Sequence, residues 1–157
     1  MDENTPMRVV AKNRKAWHEY TILQKFEAGI SLKGVEVKSV RDGHIALTDA
    51  YAAFEGGELY LNNLNIGAYR NKGYTDHDER RPRKLLLHRR ELLKIARQIE
   101  IKGNTIIPLQ VYFKGPRLKV EIAVATGKRQ YDKREAKEKA RMDREMQREI
   151  KNRLKHQ

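Results

Sequence analysis

The segment TIIPLQVYF, Thr105 to Phe113, alternates with a period of two, as a β-strand does. Ile107, Leu109, Val111 and Phe113 are predicted on one face, and Ile106, Pro108, Gln110 and Tyr112 on the other. A turn at Lys114-Gly115-Pro116 follows, and then Leu118, Val120, Ile122 and Val124 repeat the pattern against Lys119 and Glu121. Two alternating runs joined by so short a glycine-containing turn form an antiparallel hairpin.

AYAAFEGGELYL signals a second hairpin, because Gly56-Gly57 supplies the positive φ angles of a two-residue turn. Tyr20, Ile22 and Phe26, and then Val35 and Val37 in VEVKSVR, are expected on further strands. Two helices interrupt them. One is expected around Ala28 to Lys33, ended by Gly34. The other follows RKLLLH, with Glu91 three residues after a cap at His88, with Leu92, Ala96 and Ile99 on one face, and with Gly103 to stop it. Many short strands with one longer helix fit a small antiparallel barrel of oligonucleotide-binding (OB) type better than a sandwich. NKGYTDHDERRPR, Asn71 to Arg83, has no periodicity and many charges, and reads as a mobile surface loop.

The surface of such a fold must suit its partner. Against 21 Asp and Glu stand 34 Lys and Arg, a net charge of +13 on 157 residues, which points to a polyanion and first to nucleic acid. Cysteine is absent, which excludes disulfides, thiolate chemistry and Cys-ligated zinc. No apolar run reaches the ~20 residues of a membrane span or forms the core of a signal peptide, so the expected location is cytoplasmic.

Metal and catalytic motifs are also missing. His18, His44, His77, His88 and His156 show no metal-ligand spacing; the nearest cluster is His77 with Asp76 and Asp78. ATGKRQ fails as a phosphate loop, because Ile122 stands where the first glycine belongs and Arg129 where Ser or Thr belongs. No nucleophile motif appears, and neither an enzyme nor a cofactor is expected.

The chain divides into a flexible N-terminus over 1–8, a barrel over 9–126 and a basic tail over 127–157. From Gly127 to Gln157 the tail carries 12 Lys and Arg against 6 Asp and Glu, with too few large apolar residues to offset its ordering entropy, so alone it is expected to be disordered or a fraying helix. At 100° per residue, however, Arg141, Arg144, Arg148, Lys151 and Lys155 fall on one side, and Met142, Met146, Ile150 and Leu154 on the other. A latent amphipathic helix and a solvated charged helix both satisfy this pattern; a membrane-surface helix is a third reading, weakened because the tail has no aromatic beyond Tyr131.

NRKAWHEY, Asn13 to Tyr20, gathers Asn13, Arg14, Lys15, His18 and Trp17: cations for phosphate, an amide for a base edge or ribose hydroxyl, and rings that can stack on unpaired bases. A charged start to a strand, with Trp17 in the core, explains the same residues.

Four blocks in this order, NRKAWHEY, FEAGISLKGVEVKSVRDG, RPRKLLLHRREL and GKRQYDKRE, resemble the tmRNA-binding (SsrA-binding) protein family of bacterial trans-translation over roughly Val9 to Leu154. The resemblance implies a mainly β fold with short helices. The fold it implies is a closed antiparallel six-stranded OB-like barrel with peripheral helices and a C-terminal tail disordered when free. It also implies a non-catalytic adaptor that binds the tRNA-like domain of tmRNA. Such an adaptor aids alanylation and delivers tmRNA to stalled ribosomes, meeting alanyl-tRNA synthetase and elongation factor Tu only through the RNA. Other readings are a general single-strand RNA chaperone or ribosome-associated OB protein and, more distantly, an RNA-modifying enzyme.

By the same resemblance, Asn13 and Glu27 match positions that hold tmRNA, and the RKLLLH block places Leu86 and His88 near the same surface. Glu27 is able to accept from base amino or imino groups or a 2′-hydroxyl, or to fix Asn13 and nearby cations; a helix-start charge is the other reading of it. Lys38, Arg41, Arg83 and Lys84 are added on charge as phosphate contacts. The tail corresponds to the segment that becomes helical in the empty mRNA channel, its Arg141, Arg144, Arg148 and Lys151 toward small-subunit RNA phosphate and Met146 and Ile150 toward apolar surface. In GKRQYDKR, Tyr131 is expected to stack at the empty decoding site and Lys128, Arg129, Lys133 and Arg134 to meet phosphate, with Asp132 orienting the turn or a neighbouring cation. The family often has histidine where this chain has Tyr131, so a pH-dependent role there is not implied for this chain.

Overall fold

The structure, a computed structural model, describes residues 6–67 and 78–155, and only the backbone at 130 and 131. The proposed cluster at Asp76 and His77, most of the loop from Asn71, His156 and the side chain of Tyr131 lie outside the described residues. In chain order the elements are β1 Met7–Lys12, α1 Arg14–Glu19, β2 Tyr20–Ile30, α2 Gly34–Arg41, β3 Ile45–Ala46, β4 Tyr51–Glu55, β5 Glu58–Asn62, β6 Asn65–Ile66, β7 Arg83–Leu86, α3 Arg89–Ile99, β8 Asn104–Lys114, β9 Arg117–Gly127 and α4 Lys128–Lys155.

The molecule is mainly β with four helices. Antiparallel pairing runs β8-β4-β5-β7-β2-β9, and β9 pairs again with β8, so these strands join in a ring to which β1 adds along the Gln110–Lys114 end of β8. Both predicted hairpins form. Glu55 faces Glu58 across Gly56 and Gly57, whose φ values of 59° and 80° only a side-chain-free residue adopts without strain. Lys114 faces Arg117 across Gly115 and Pro116.

Every strand of the ring sends side chains into one apolar cluster: Phe26 and Ala28 from β2, Ala52 from β4, Leu59 and Leu61 from β5, Leu85 from β7, Ile106, Val111 and Phe113 from β8, and Val120, Ile122 and Val124 from β9. Val40 of α2 and Ile95 of α3 complete it. A smaller cluster of Ala16, Ile107, Leu109, Ala123 and Ala125 lies under α1.

The two clusters explain where the expected alternation fails. The β8–β9 register shifts between Pro108 and Gln110, leaving Leu109 as an extra residue. A one-residue bulge exchanges the two faces of a strand. Ile106 therefore joins Val111 and Phe113 in the main core, while Ile107 and Leu109 turn to the smaller cluster. A bulge between Ile22 and Gln24 likewise separates Tyr20 and Ile22 from Phe26.

Helix positions also differ from expectation. Ala28 to Ile30 complete β2, and the helix starts at Gly34 instead of ending there. VEVKSVR is thus helical although Val35 and Val37 alternate. The Lys33 N–H donates to Glu36 Oε1 at 2.9 Å, a capping interaction that outweighs the weak β preference of two valines. The helix after His88 forms as expected, the His88 N–H donating to Glu91 Oε1 at 3.2 Å. β1 begins at Met7, within the segment expected to be flexible. The tail, expected alone to be disordered or a fraying helix, is here the single helix α4 of 28 residues.

Candidate nucleic-acid interface

Because Ala28, Val111, Val120 and Ile122 point into the core, their neighbours on β2, β8 and β9 face outward. Two cross-strand rows result. One runs Lys12, Gln110, Glu121, Glu27, and the next Tyr112, Lys119, Gly29, Leu86, continuing onto β7. Glu27 and Leu86 are thereby brought together as two neighbouring rows of one outer face. Leu86 is 51% exposed, and a Cβ at Gly29 would stand 3.3 Å from Leu86 Cβ. The bare glycine backbone leaves room for the leucine to lie across β2.

Glu27 is not a helix-start charge but a strand residue held in place by its neighbours. The Tyr112 hydroxyl donates to Glu27 Oε2, and Lys114 Nζ stands 3.7 Å from the same oxygen. Burial and the Glu27 carboxylate together push the Tyr112 phenol well above its ordinary value. It therefore remains a donor throughout the neutral range, and Glu27 keeps a fixed direction with acceptor capacity to spare.

Asn13 has a different role from the one its residue type suggested. It is buried, its N–H donates to Leu109 O at 2.8 Å, its Nδ2 donates to Pro108 O at 2.9 Å, and its Oδ1 accepts from the Ala16 N–H at 3.3 Å. Asn13 is the N-cap of α1 and pins that helix to the Leu109 bulge, so its amide is committed to the protein. Arg14, Lys15, Trp17 and His18 are exposed on α1, Lys15 lying 3.9 Å from Glu19. Trp17, a half-exposed ring and not a core residue, has Lys25 Nζ 4.8 Å from its centroid.

Arg83, expected at a phosphate, is wholly buried. Its Nη2 lies 2.6 Å from Glu36 Oε2, and its guanidinium also donates to the backbone oxygens of Leu64, Arg81 and Glu79. In a strand whose Leu85 points inward, Arg83 two residues earlier must point inward as well, and a buried guanidinium needs this degree of pairing. Its neighbour Lys84 does face outward, where it donates to Glu58 at 2.9 Å; that bond raises the lysine and lowers the glutamate from their ordinary values.

Lys38 and Arg41 are exposed on α2. Arg41 meets Arg8 around the Phe113 ring, their guanidinium carbons 5.6 and 5.3 Å from its centroid. His88 is exposed at the N-cap of α3. Along α4, Lys128, Arg129, Asp132, Lys133, Arg144, Met146, Arg148, Ile150 and Lys151 are exposed. Arg134 bonds Asn104 Oδ1 at 3.1 Å and joins α4 to the start of β8. Arg141 is bound to Glu138 and Glu145.

Arg8, Lys12, Lys25, Gln110, Lys114 and Lys119 belong to these surfaces although sequence reasoning assigned them no site. Only the pairing register places them there, since they come from β1, β2, β8 and β9. Among the described residues, no group of three or more acidic or histidine side chains is placed to hold a metal ion, and no helix is long and apolar enough to cross a membrane.

The family model for the SmpB protein matches residues 10–152 of the chain. An SsrA-binding protein from Pseudarthrobacter chlorophenolicus is 48% identical over 153 residues, covering 98% of this chain and 97% of its own. One from Sulfurihydrogenibium sp. is 49% identical over 148 residues, covering 94% and 97%. Among solved structures, a chain of "tmRNA-SmpB: a journey to the center of the bacterial ribosome" is 49% identical with a TM-score of 0.65, and the match covers 75% of this chain and 83% of that one.

Proposed function

We propose that this chain, which belongs to the SmpB family of SsrA-binding proteins, is a non-catalytic RNA adaptor that binds the tRNA-like domain of tmRNA and delivers it to stalled ribosomes for trans-translation. The observation that carries the reading is the outer face around Glu27. There a carboxylate oriented by Tyr112 sits among Lys25, Lys114 and Lys119, with exposed Leu86 beside it. Cations fix register on phosphates, whereas an oriented acceptor and an apolar contact select a particular folded RNA.

In this reading the ring of strands is a closed OB-type barrel, and the protein works in the cytoplasm. Exposed Arg14, Lys15, His18, Lys38, Arg41, Lys84 and His88 supplement the Glu27 face. Asn13 acts by positioning α1, and Arg83 by supporting β7 from within. Free in solution, α4 frays toward disorder, because Met142, Met146, Ile150 and Leu154 of its apolar stripe are exposed. On the ribosome its basic side meets small-subunit RNA phosphate. At its start Tyr131, Asp132 and the neighbouring cations occupy the empty decoding site. Alanyl-tRNA synthetase and elongation factor Tu are met through the RNA.

Competition binding with tmRNA, transfer RNA and an unstructured RNA tests this. Preference for the tRNA-like domain is expected, and equal binding of all three would favour a general RNA chaperone. Removing the residues after Gly127 should preserve tmRNA binding and abolish tagging on stalled ribosomes. Tagging by the truncated chain would overturn the assignment of the tail.

A further inference from the structure

A cleft of about 290 Å³ opens between α1 and the outer face of the sheet, lined by Lys12, Arg14, Trp17, Lys25, Gln110 and Glu121 among others. We propose that this cleft is a subsite for one unpaired, amino-bearing nucleobase of the bound RNA, stacked on Trp17 and read by Gln110 and Glu121. The proposal rests on the RNA-binding reading above and specifies which kind of nucleotide that surface selects.

Trp17 follows Ala16, which is 2% exposed on the inner side of α1, yet Trp17 itself is 49% exposed. Core packing therefore does not account for it. Asn13 fixes the helix to Pro108 and Leu109 through two hydrogen bonds, from its side-chain amide and its backbone N–H, and caps it by accepting a third from the Ala16 N–H, so the ring is held at the mouth of the cleft. Exposed, pre-positioned aromatic rings are what single-stranded bases stack on.

The remaining lining divides by chemistry. Lys12, Arg14 and Lys25 supply positive charge at the rim; Lys25 Nζ lies over the Trp17 ring, 4.8 Å from its centroid, and a base stacking there takes its place and frees the ammonium for the flanking phosphate. Gln110 and Glu121 are directly opposed partners on β8 and β9, with Lys12 opposite Gln110 on β1. Gln110 offers both a donor and an acceptor, while the Glu121 carboxylate only accepts and forms no ion pair among the described residues. A carboxylate accepts from the exocyclic amine of adenine, cytosine or guanine, whereas uracil has no such amine and offers only its N3–H, flanked by two carbonyl oxygens that the carboxylate repels. A cleft at the small end of the ~300–1,000 Å³ range of ligand sites accommodates one base and not a folded segment.

Trp17 is the only tryptophan in the chain, so its emission reports the cleft directly. The full chain is titrated with 5′-labelled hexamers rA6 and rU6, following label anisotropy and Trp17 emission together. Binding of rA6 on the order of tenfold tighter than rU6, with quenching of Trp17, is expected. Trp17→Ala should remove about that tenfold from rA6 and little from rU6, Trp17→Phe should restore most of it, and Glu121→Gln should narrow the A-to-U difference. Equal affinity for both hexamers, or saturation by rA6 with unchanged Trp17 emission, overturns the subsite. The labelled tRNA-like domain of tmRNA separates the two claims. Its binding with silent Trp17 removes the subsite alone, whereas its failure to bind beside normal rA6 quenching removes the adaptor reading alone.

Discussion

Glu36 of α2 and Arg83 of β7 form an ion pair 2.6 Å long in which neither side chain has any solvent exposure. Arg81 donates to the second oxygen of the same carboxylate. Arg83 also donates to Leu64 O at 2.6 Å, Arg81 O at 3.2 Å and Glu79 O at 3.1 Å. The pair thus ties α2, β7 and the segments flanking β7 into one polar node next to the main core. Removing one member of such a pair strands the other charge in an apolar setting. Arg83→Ala is therefore expected to destabilise the fold by ~3–5 kcal/mol, read as a lowered urea midpoint. At temperatures where the variant remains folded, the salt dependence of tmRNA binding should match that of the parent, because Arg83 reaches no phosphate. A reduced salt slope in folded Arg83→Ala would return this residue to the interface.

The same node sets an acid limit. Burial raises the Glu36 carboxyl, but hydrogen bonds from Arg81, the Lys33 N–H and Arg83 outweigh that effect and hold it below its ordinary value of 4.5. A carboxylate with a depressed folded value contributes stability that is present in full above its unfolded value and is lost as pH falls through the folded one. Stability to urea should therefore be flat with respect to this group near neutrality and should decline from about pH 4.5 downward. Glu36→Gln should be less stable at pH 7 and should lose less on acidification. Parallel pH profiles for the two proteins would remove Glu36 as a source of acid sensitivity.

Arg83 also shows what the sequence made legible and what it did not. The hairpins at Gly56-Gly57 and Gly115-Pro116 and the helix after His88 rest on local rules, namely turn glycines and a capping pair three residues apart, and they formed as read. The inward direction of Arg83 follows from the period of two that it shares with Leu85, but reading it requires knowing that RKLL is a strand and that Glu36 waits across the core. The bulges at Leu23 and Leu109 leave no local signature, and each reverses the faces of the residues before it. Helix α1 did have a signal, Asn13 before a run of helix formers, which its cations obscured. The outer face was visible only as isolated members, Glu27 and Leu86. Its remaining residues are assembled by long-range register.

Tyr112 is expected to tune the Glu27 face without supporting the core ring by ring. Its hydroxyl donates to Glu27, while its aromatic body is buried. Tyr112→Phe keeps that body and removes the donor to a charged acceptor, a bond worth ~1.5–3 kcal/mol at most. The fold should survive, and affinity for the tRNA-like domain should fall several-fold because Glu27 loses its fixed direction. Glu27→Gln, which keeps a hydrogen-bond acceptor and loses the charge, should weaken binding as well. An unchanged affinity in both variants, measured by labelled-RNA anisotropy, would place the RNA on another face.

Helix α4 is expected to be separable from the stability of the fold. Met142, Met146, Ile150 and Leu154 are 58%, 65%, 57% and 66% exposed, so the stripe that makes α4 amphipathic buries little against the rest of the chain. What holds the helix is local: Arg141 paired with Glu138 and Glu145, and Arg134 bonded to Asn104 at its first turns. Exposed pairs three and four residues apart contribute only ~0.2–0.5 kcal/mol each and weaken with salt. The helical circular-dichroism signal should therefore fall as salt is raised, with no change in the urea midpoint of the β-rich core. A double variant, Met146→Glu with Ile150→Glu, should leave that midpoint within ~0.5 kcal/mol and tmRNA affinity unchanged, since surface substitutions outside special features rarely do more. Tagging on stalled ribosomes should drop, because the apolar stripe then loses the surface it is meant to meet. Full tagging by the double variant would show that α4 acts through its cations alone.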